Sequence, residues 1–566
     1  MGRSVKRIRW VTVAALGSVA ACLAGRGMQP GPVFCSTSAG LTLSLPVGAY
    51  QALAPQANAG CVIFPGNASP TDSAEYLVVA QLATDAPGAS AKYLLDGDTL
   101  HPVLAAQGAG AMSRGDLGLP ERFHDFLRLQ ERSHWEGLPP APPGAALAPA
   151  RAASPRPVVG DVRSFEVCDT LTCASFRTVT ATAKTVSGHA AIFVDNAAPA
   201  GGLTQADLDA LGALFDARLY AIDTTAFGRE SDIDGNTVVA VLMTNVVNKL
   251  VTQQQCASQG FVTGFFFGFD IDTSAAGFWT DTRRNHGEVF YTIVADPNGT
   301  LSCAHSASQL QRLVPVTFVH EFQHMISYNQ HVLLRGGEPQ AVWLDEGMSH
   351  FAEELGGRSF LPGDPTTFSN YVIGNLRNAY QYLDSTSTHF LVFSSGIGTL
   401  AERGAAWLFV RYITDRFRAD TSFAATAAFT STLVQTPLVG GAAVANATGT
   451  LFATLAERWV LANYVSDLPG FSAPPELQYT SWSFRVTYAS LNGQFPSTFP
   501  KPFPLTPPVS SGSGVESVGT LRAGSGVYAD IVQGAVEPGF TLFFSGPNGA
   551  ALPVALVPRL NVLRIR

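Results

Sequence analysis

The chain has 566 residues, of which 46% are hydrophobic and only 14% are charged, and this composition excludes an intrinsically disordered protein. A formal net charge of −8 gives no electrostatic basis for binding nucleic acid. The length predicts several domains, each with enough residues to bury a core.

The first 22 residues are typical of an export signal. Basic residues between Arg3 and Arg9 precede a short apolar stretch, Val11 to Val19, which is too short to span a membrane. Val19-Ala20-Ala21-Cys22 resembles a bacterial lipobox, in which the cysteine is lipidated after cleavage before it. An ordinary signal peptide that is cut nearby is the alternative. We therefore expect an exported protein, held in the bacterial cell envelope through Cys22 or secreted.

The segments that follow predict an α+β protein with a small β domain on either side of a central domain. Short apolar runs between turns indicate strands near both ends, and strands followed by helices indicate the central domain. The predicted parts are a signal peptide over 1–22, an N-terminal β domain over 23–130, a Pro/Ala-rich linker over 131–159, the central domain over 160–495, a Pro/Ser/Gly linker over 496–514 and a C-terminal β domain over 515–566.

Six cysteines remain when Cys22 is set aside, and an even number in an exported chain predicts disulfide bonds. Proximity along the chain suggests the pairs Cys35–Cys61, Cys168–Cys173 and Cys256–Cys303. The cysteine spacing does not match a structural zinc site.

Asp232-Ile233-Asp234-Gly235-Asn236 begins like a loop that binds Ca2+. An EF-hand loop needs Gly at its sixth position and Glu at its twelfth, however, and this chain has Thr237 and Met243 there. A hairpin turn is therefore favoured over a calcium site. Ordinary polar roles are also favoured for His286 and Glu288, because no third ligand accompanies them.

His320-Glu321-Phe322-Gln323-His324 is the H-E-x-x-H pattern of zinc proteases. Apolar residues recur around it at three- and four-residue spacing, which predicts a buried helix with Pro315 in its first turn. Residues four apart share one face of a helix, so His320 and His324 can direct their imidazoles at one metal ion. Glu321 lies off that shared direction, and we predict that it is the catalytic base rather than a ligand.

A second block, Trp343-Leu344-Asp345-Glu346-Gly347, supplies the carboxylate that a catalytic zinc site needs as a third ligand. The segment Ala341 to Leu355 predicts a second helix, and Gly336-Gly337 predicts the turn before it. Two histidines on one helix and a glutamate on the next form the gluzincin arrangement that thermolysin has. The predicted cofactor is one catalytic Zn2+ ion.

HEFQHMI followed by WLDEGMSHFAEEL resembles the hyicolysin-like neutral zinc metallopeptidases, and weaker similarity extends over roughly residues 160–465. The resemblance implies a gluzincin-like metallopeptidase domain. In alanyl-aminopeptidase-type enzymes, the similar WLNEG block carries the third zinc ligand, which by resemblance assigns that role to Glu346. The same comparison suggests that Glu353 orients a ligand. The G-x-M-E-N motif of those aminopeptidases is absent from this sequence, which favours an endopeptidase.

The residue that would stabilise the oxyanion is not evident. Aminopeptidase-type enzymes carry a Tyr just ahead of their late helix, whereas this chain has Ala401-Glu402-Arg403-Gly404 before the predicted late helix over Gly404 to Tyr412. Tyr412, His389, Tyr380 and Tyr382 are candidates for an oxyanion donor, although a structural role is favoured for each.

We therefore expect a zinc-dependent endopeptidase that hydrolyses peptide bonds in extracytoplasmic proteins. The alternative is a surface-anchored binding or adhesion lipoprotein with an inactive protease core, which only the missing Tyr favours. The segment over 23–130 has two interpretations. It could be a prodomain that is removed by cleavage within 137–159, or a spacer that holds the catalytic domain off the membrane. The spacer is slightly favoured, because Cys35 and Cys61 would staple a self-standing fold.

Overall fold

The computed structural model describes residues 35, 40–98, 118–136, 153–275, 277–394 and 398–566. The predicted signal peptide, Cys22 and most of the linker over 131–159 lie outside the described residues. Helices and three sheets are both present, which confirms the predicted α+β class.

Two five-stranded sheets form a sandwich from the two ends of the chain. Their orders are β1-β3-β15-β5-β13 and β12-β14-β4-β16-β2. The strands from the first part of the chain are β1 (Leu41–Thr42), β2 (Tyr50–Leu53), β3 (Cys61–Phe64), β4 (Ala74–Leu82) and β5 (Ser90–Asp98). The strands from the last part are β12 (Val509–Ser510), β13 (Glu516–Arg522), β14 (Gly526–Gln533), β15 (Phe540–Ser545) and β16 (Pro558–Arg564).

The two β segments are thus hydrogen-bonded to each other in both sheets. Strand β4 lies between β14 and β16, and β5 lies between β13 and β15. The rings of Phe64 and Phe540 stack with centroids 4.4 Å apart in the shared core. Nearly every residue of β4 is buried, so this strand needs partners on both edges and on both faces.

A six-stranded sheet with the order β10-β11-β9-β8-β7-β6 supports the central region. Its strands are β6 (Val162–Cys168), β7 (Phe176–Val186), β8 (Ala190–Asp195), β9 (Val239–Met243), β10 (Gly264–Phe266) and β11 (Val289–Thr292). The pairs β8–β9 and β9–β11 are parallel, whereas the terminal strand β10 runs antiparallel to β11. β10 is therefore an edge strand.

Helices pack around this sheet and build most of the central core. They are α2 (Gln205–Leu214), α3 (Tyr220–Phe227), α4 (Asn245–Asn248), α5 (Gln253–Gln259), α6 (Ala307–Tyr328), α7 (Val342–Arg358), α8 (Pro365–Asp384), α9 (Leu400–Phe417), α10 (Phe423–Val434), α11 (Gly440–Thr448), α12 (Phe452–Val465) and α13 (Phe484–Gln494). A π-helical segment, Phe215–Leu219, joins α2 to α3.

The helix that carries the H-E-x-x-H pattern begins earlier than the apolar spacing indicates. The Ser306 side chain caps the first turn of α6 by accepting a hydrogen bond from the backbone N–H of Gln309 at 3.2 Å. Pro315 consequently lies inside the helix, and the prediction that it occupies the first turn was wrong. The first two turns, residues 307–312, are mainly polar, so the apolar periodicity did not show where the helix begins.

An 18-residue helix, α1 (Leu119–Glu136), crosses the boundary where the sequence predicts the end of a β domain and the start of a linker. Residues 119–136 form one continuous helix across this position, and the domain boundary itself remains a prediction. Phe123 and Leu127 are fully buried one turn apart, but Asp125, Arg128 and Glu131 are buried as well. Because its inward face mixes apolar and charged residues, the periodicity that indicates an amphipathic helix is weak here.

The three predicted cysteine pairs are confirmed as Cys35–Cys61, Cys168–Cys173 and Cys256–Cys303. None of the helices in the described ranges combines the length and apolar character that a bilayer crossing requires.

Candidate metal centre

Two packed helices bring the four predicted catalytic side chains together. α6 carries His320, Glu321 and His324, and α7 carries Glu346. All four are buried, with exposed fractions of 6%, 1%, 1% and 0% in that order. Gly347 allows α9 to approach α7 closely, because a Cβ atom there would lie 2.9 Å from the carbonyl oxygen of Ala406.

The ligand atoms of the three predicted metal-binding residues converge. The Nε2 atoms of His320 and His324 lie 3.3 Å apart, and the Glu346 carboxylate lies 3.6 Å from the first and 3.9 Å from the second. Ligands bonded to a tetrahedral zinc ion at its usual distances of about 2.0–2.1 Å are separated by roughly 3.3 Å. The side chains therefore form a group that can hold a metal ion.

Each histidine of this group has a carboxylate on its other ring nitrogen. His320 Nδ1 lies 2.7 Å from Glu353 Oε1, and His324 Nδ1 lies 2.8 Å from Asp345 Oδ2. These contacts assign the proton to Nδ1 and leave the Nε2 lone pair for a metal, which is the usual outer contact of a metal-binding histidine. Glu353 also lies 3.0 Å from Nδ1 of His350.

The charges around Glu346 are suited to a bound cation. Both carboxylate oxygens of Glu346 are buried and have no hydrogen-bond partner, although Arg403 Nη1 lies 3.2 Å from Oε2. Burial by itself raises the pKa of Glu346, but Arg403 and the two histidines hold it well below its usual value. A buried carboxylate of this kind is costly unless cations compensate it, so the residues fit a divalent metal.

The same carboxylates act on His320. Burial lowers the pKa of this imidazole, but the nearby carboxylates of Glu346 and Glu353 outweigh burial and raise the pKa to about 10. Without a metal, the site therefore stores a proton on His320. Metal binding would release this proton, because a ligating imidazole is neutral.

Glu321 contacts the edge strand of the central sheet and helix α1. Its Oε2 accepts a hydrogen bond from the backbone N–H of Phe266 in β10 at 3.0 Å. Its Oε1 lies 3.5 Å from Nδ1 of His124 in α1. One carboxylate oxygen is thus tied to the sheet, and the other faces α1.

The oxyanion candidates named from the sequence have other partners. The hydroxyl of Tyr412 donates to the carbonyl of Glu476 at 2.7 Å, and His389 Nδ1 lies 3.0 Å from Glu402 near the start of α9. Tyr380 contacts the backbone of Lys501, and Tyr382 contacts Ser525. These contacts place none of the four against the ligand group.

Two residues next to the ligands were not identified from the sequence. Asp345 directly precedes Glu346, and the need for a carboxylate on His324 was the signal that could have identified it. Arg403 belongs to the tetrapeptide Ala401 to Gly404, where the comparison with aminopeptidases looks for a Tyr. This tetrapeptide was predicted to precede the late helix, but it lies inside α9, which begins at Leu400. Only the packing of α9 against α7 brings Arg403 to Glu346.

Asp232, Asp234 and Glu288 form an acidic cluster away from the candidate ligands, and neighbouring groups of the chain hydrogen-bond to it. Carboxylate oxygens of Asp232, Asp234 and Glu288 lie within 4.8 Å of one another. Glu288 accepts hydrogen bonds from the Ser231 hydroxyl and the Ile233 N–H, at 2.6 and 3.1 Å. His286 does not join them, since its Nε2 lies 2.8 Å from the carbonyl oxygen of Phe278.

Comparison with known proteins gives a distant relationship. No protein-family model matches the chain. Over 146 residues the chain is 26% identical to the neutral metalloprotease ShpI of Staphylococcus hyicus. The aligned region is 26% of this chain and 30% of that relative, so the chain spans less than a third of the relative's length. This match and the metal-binding geometry support a relationship to metalloproteases.

Proposed function

We propose that this protein is a zinc-dependent endopeptidase with the centre built from His320, His324 and Glu346. The observation that carries the proposal is the convergence of two Nε2 atoms, 3.3 Å apart, on the Glu346 carboxylate. The distant similarity to a neutral metalloprotease supports the same reaction class.

Zinc suits this donor set, because two imidazoles and one carboxylate are a common combination at catalytic zinc sites. When bound, zinc polarises the scissile carbonyl and makes water more acidic. Asp345 and Glu353 hold the two imidazoles in the orientation and tautomer that metal binding needs.

Glu321 is the proposed general base. It takes a proton from the attacking water and returns it to the departing amine. The Phe266 N–H that binds Oε2 fixes the orientation of the side chain, so that Oε1 is the oxygen that handles the proton. The edge strand β10 runs beside Glu321, where an extended peptide could add as a further strand.

The proposed substrates are proteins outside the cytoplasm. Three disulfide pairs support export, because such bonds persist in oxidising compartments. Membrane attachment through a lipid on Cys22 remains part of the proposal.

The decisive experiment compares metal content and hydrolysis in one set of variants. We expect about one zinc per wild-type chain and hydrolysis of casein that a chelator abolishes. Glu321→Gln should keep the zinc and lose at least about 100-fold in rate, which is within the usual contribution of a general base. His320→Ala, His324→Ala and Glu346→Ala should lose the zinc. A Glu321→Gln chain that cleaves at the wild-type rate would refute the assignment.

A further inference from the structure

Helix α1 lies along the edge of the central sheet and over the metal centre. Phe123 packs edge-to-face on Phe265 of β10, with ring centroids 4.9 Å apart. Leu127 is fully buried one turn further along the helix. The helix thus packs on β10 beside Glu321 in the ligand-bearing segment of α6.

Charged side chains of α1 bind the backbone of this edge. Arg128 donates to the carbonyl oxygen of Phe266 at 2.8 Å, and Glu131 accepts from the N–H of Gly268 at 2.8 Å. Arg128 and Glu131 also lie 3.3 Å from each other. One side chain therefore supplies a donor and the other an acceptor, as the backbone of an added strand would.

The same helix reaches the two residues that flank the ligands. His124 lies 3.5 Å from Glu321, and Asp125 lies 3.7 Å from Arg403, which itself contacts Glu346. A catalytic zinc site needs one open position and a path for substrate. With α1 in this position, however, none of the ligands or Glu321 is more than 6% exposed.

We propose that α1 is a built-in inhibitor that occupies the substrate groove, and that a peptide must displace it to reach the metal centre. This inference rests on the proposed function. A helix that only covered this edge would also have to satisfy its buried N–H and C=O groups, but it would not need the contacts that α1 makes with the centre itself, His124 with Glu321 and Asp125 with Arg403.

The chain before residue 160 contains two parts with different structural roles, the strands of the sandwich and helix α1. Strands β1–β5 pair with β12–β16 and are part of the sandwich, whereas α1 contacts the metal centre. Removing everything before residue 160 would therefore take away five strands together with the inhibitor. The test has to change α1 alone.

The first test uses the full-length zinc protein with Arg128→Ala and Glu131→Ala combined, which removes both charges and leaves neither unpaired. Arg122→Ala is the control, since Arg122 lies on the same helix but is exposed and contacts Gln259 at the surface. We expect hydrolysis of a quenched fluorescent peptide, per bound zinc, to rise at least tenfold in the double variant and to stay within twofold of wild type in the control. Rates that are equal in both would overturn the inference.

A second readout needs no catalysis. In the cobalt-substituted chains, binding of a peptide hydroxamate changes the visible absorption spectrum and reports access to the metal. The double variant should bind the hydroxamate at least tenfold more tightly than wild type or Arg122→Ala. Metal-loaded chains with equal affinities would overturn the role of α1 alone, whereas chains that hold no metal would overturn the proposed function.

A third measurement uses the wild type and so is independent of how the variants fold. Saturating hydroxamate should speed hydrogen exchange of the amides in α1 by tenfold or more, because the helix and the ligand compete for one groove. Exchange in α13, far along the chain, should not change. Binding of the hydroxamate with unchanged exchange in α1 would contradict displacement.

Discussion

The two histidines at the candidate metal centre contact carboxylates from different parts of α7. Asp345 is the neighbour of Glu346 in the chain, so one turn of helix supplies both a candidate ligand and the group that orients His324. Glu353, two turns further on, is shared by His320 and His350. His324 thus receives its orienting carboxylate from Asp345, and the affinity of the centre for a metal should depend on that contact.

The Asp345→Asn substitution tests this dependence. The amide accepts the hydrogen bond from Nδ1 more weakly and carries no charge, so we expect the zinc dissociation constant to rise about 10- to 100-fold. Competition with a zinc-binding dye measures this dissociation constant. Asp85→Asn, at an exposed position, is the matched control, and equal affinities in the two variants would remove Asp345 from the centre.

At the scale of elements, the centre joins α6 to α7. Each helix contributes candidate ligands, and the Glu346 carboxylate between them has no hydrogen-bond partner. Hydrophobic burial holds the two helices together, and the positive charges of Arg403 and the two histidines lower the pKa of the Glu346 carboxyl at their contact. A bound metal would therefore stabilise the pair.

Metal removal should lower the melting temperature of this helical region. Ligand present at about 100 times its dissociation constant adds about 2.7 kcal/mol to the folded state, which corresponds to roughly 4 °C in a domain of this size. Calorimetry of zinc-loaded and chelator-treated protein measures the difference. The His324→Ala chain should show no such shift, and an equal shift there would mean that the metal acts elsewhere.

The entrance to β11 contains a carboxyl group that folding keeps protonated. Burial raises the pKa of Glu288 from 4.5 to about 7. Because the folded-state value is the higher one, protonation favours the fold, and this stabilisation is complete below pH 4.5 and lost as the pH rises through 7. Stability should therefore fall across this window.

Glu288→Gln should remove that dependence, since glutamine keeps the oxygen that Ser231 and the Ile233 N–H use. We expect the variant to be more stable than wild type at pH 8, by on the order of 2 kcal/mol, and equal to it near pH 4.5. Denaturant unfolding at both pH values measures this, with the exposed Glu516→Gln as control. If Ca2+ stabilises wild type at pH 8 but not Glu288→Gln, the acidic cluster instead binds a cation.

At the scale of the whole molecule, the sandwich ties the beginning of the described chain to its end. Strand β4 is paired on both sides by strands more than 400 residues away, and the Phe64–Phe540 stack closes the core. The helical region is the long insertion between the two halves. The predicted domain boundaries treat these halves as independent units, and they remain predictions.

Strand complementation tests this organisation. A chain of residues 160–566 should aggregate or unfold, because β12–β16 lose their partners and leave apolar faces uncovered. Coexpression with a fragment of residues 35–159 should restore a soluble complex that elutes as one species in size-exclusion chromatography. A 160–566 chain with the full-length melting temperature would contradict the shared sandwich.

The proposed membrane attachment is tested independently of the fold. Metabolic labelling with a palmitate analogue should mark the wild-type chain and leave Cys22→Ser unmarked. A mature N-terminus beyond residue 22 would support release instead of attachment.

Several features follow from the sequence alone, because they depend on local order. The four-residue spacing of His320 and His324 determines that they share a helix face, and the block around Glu346 supplies the next carboxylate. The α+β class and the three cysteine pairs were also predictable, since strand alternation, helix periodicity and short loops between cysteines are all local.

Tertiary structure decided what depends on distant contacts. The inward face of α1 mixes polar and apolar residues because its charged side chains bind the backbone of Phe266 and Gly268 in and after β10. The sequence periodicity of α1 therefore did not predict its position beside the candidate metal centre. Arg403 reaches Glu346 only because α9 packs closely on α7 at Gly347. The apolar run in β4 indicates a buried strand but not which strands lie beside it, because backbone hydrogen bonds do not depend on side-chain identity.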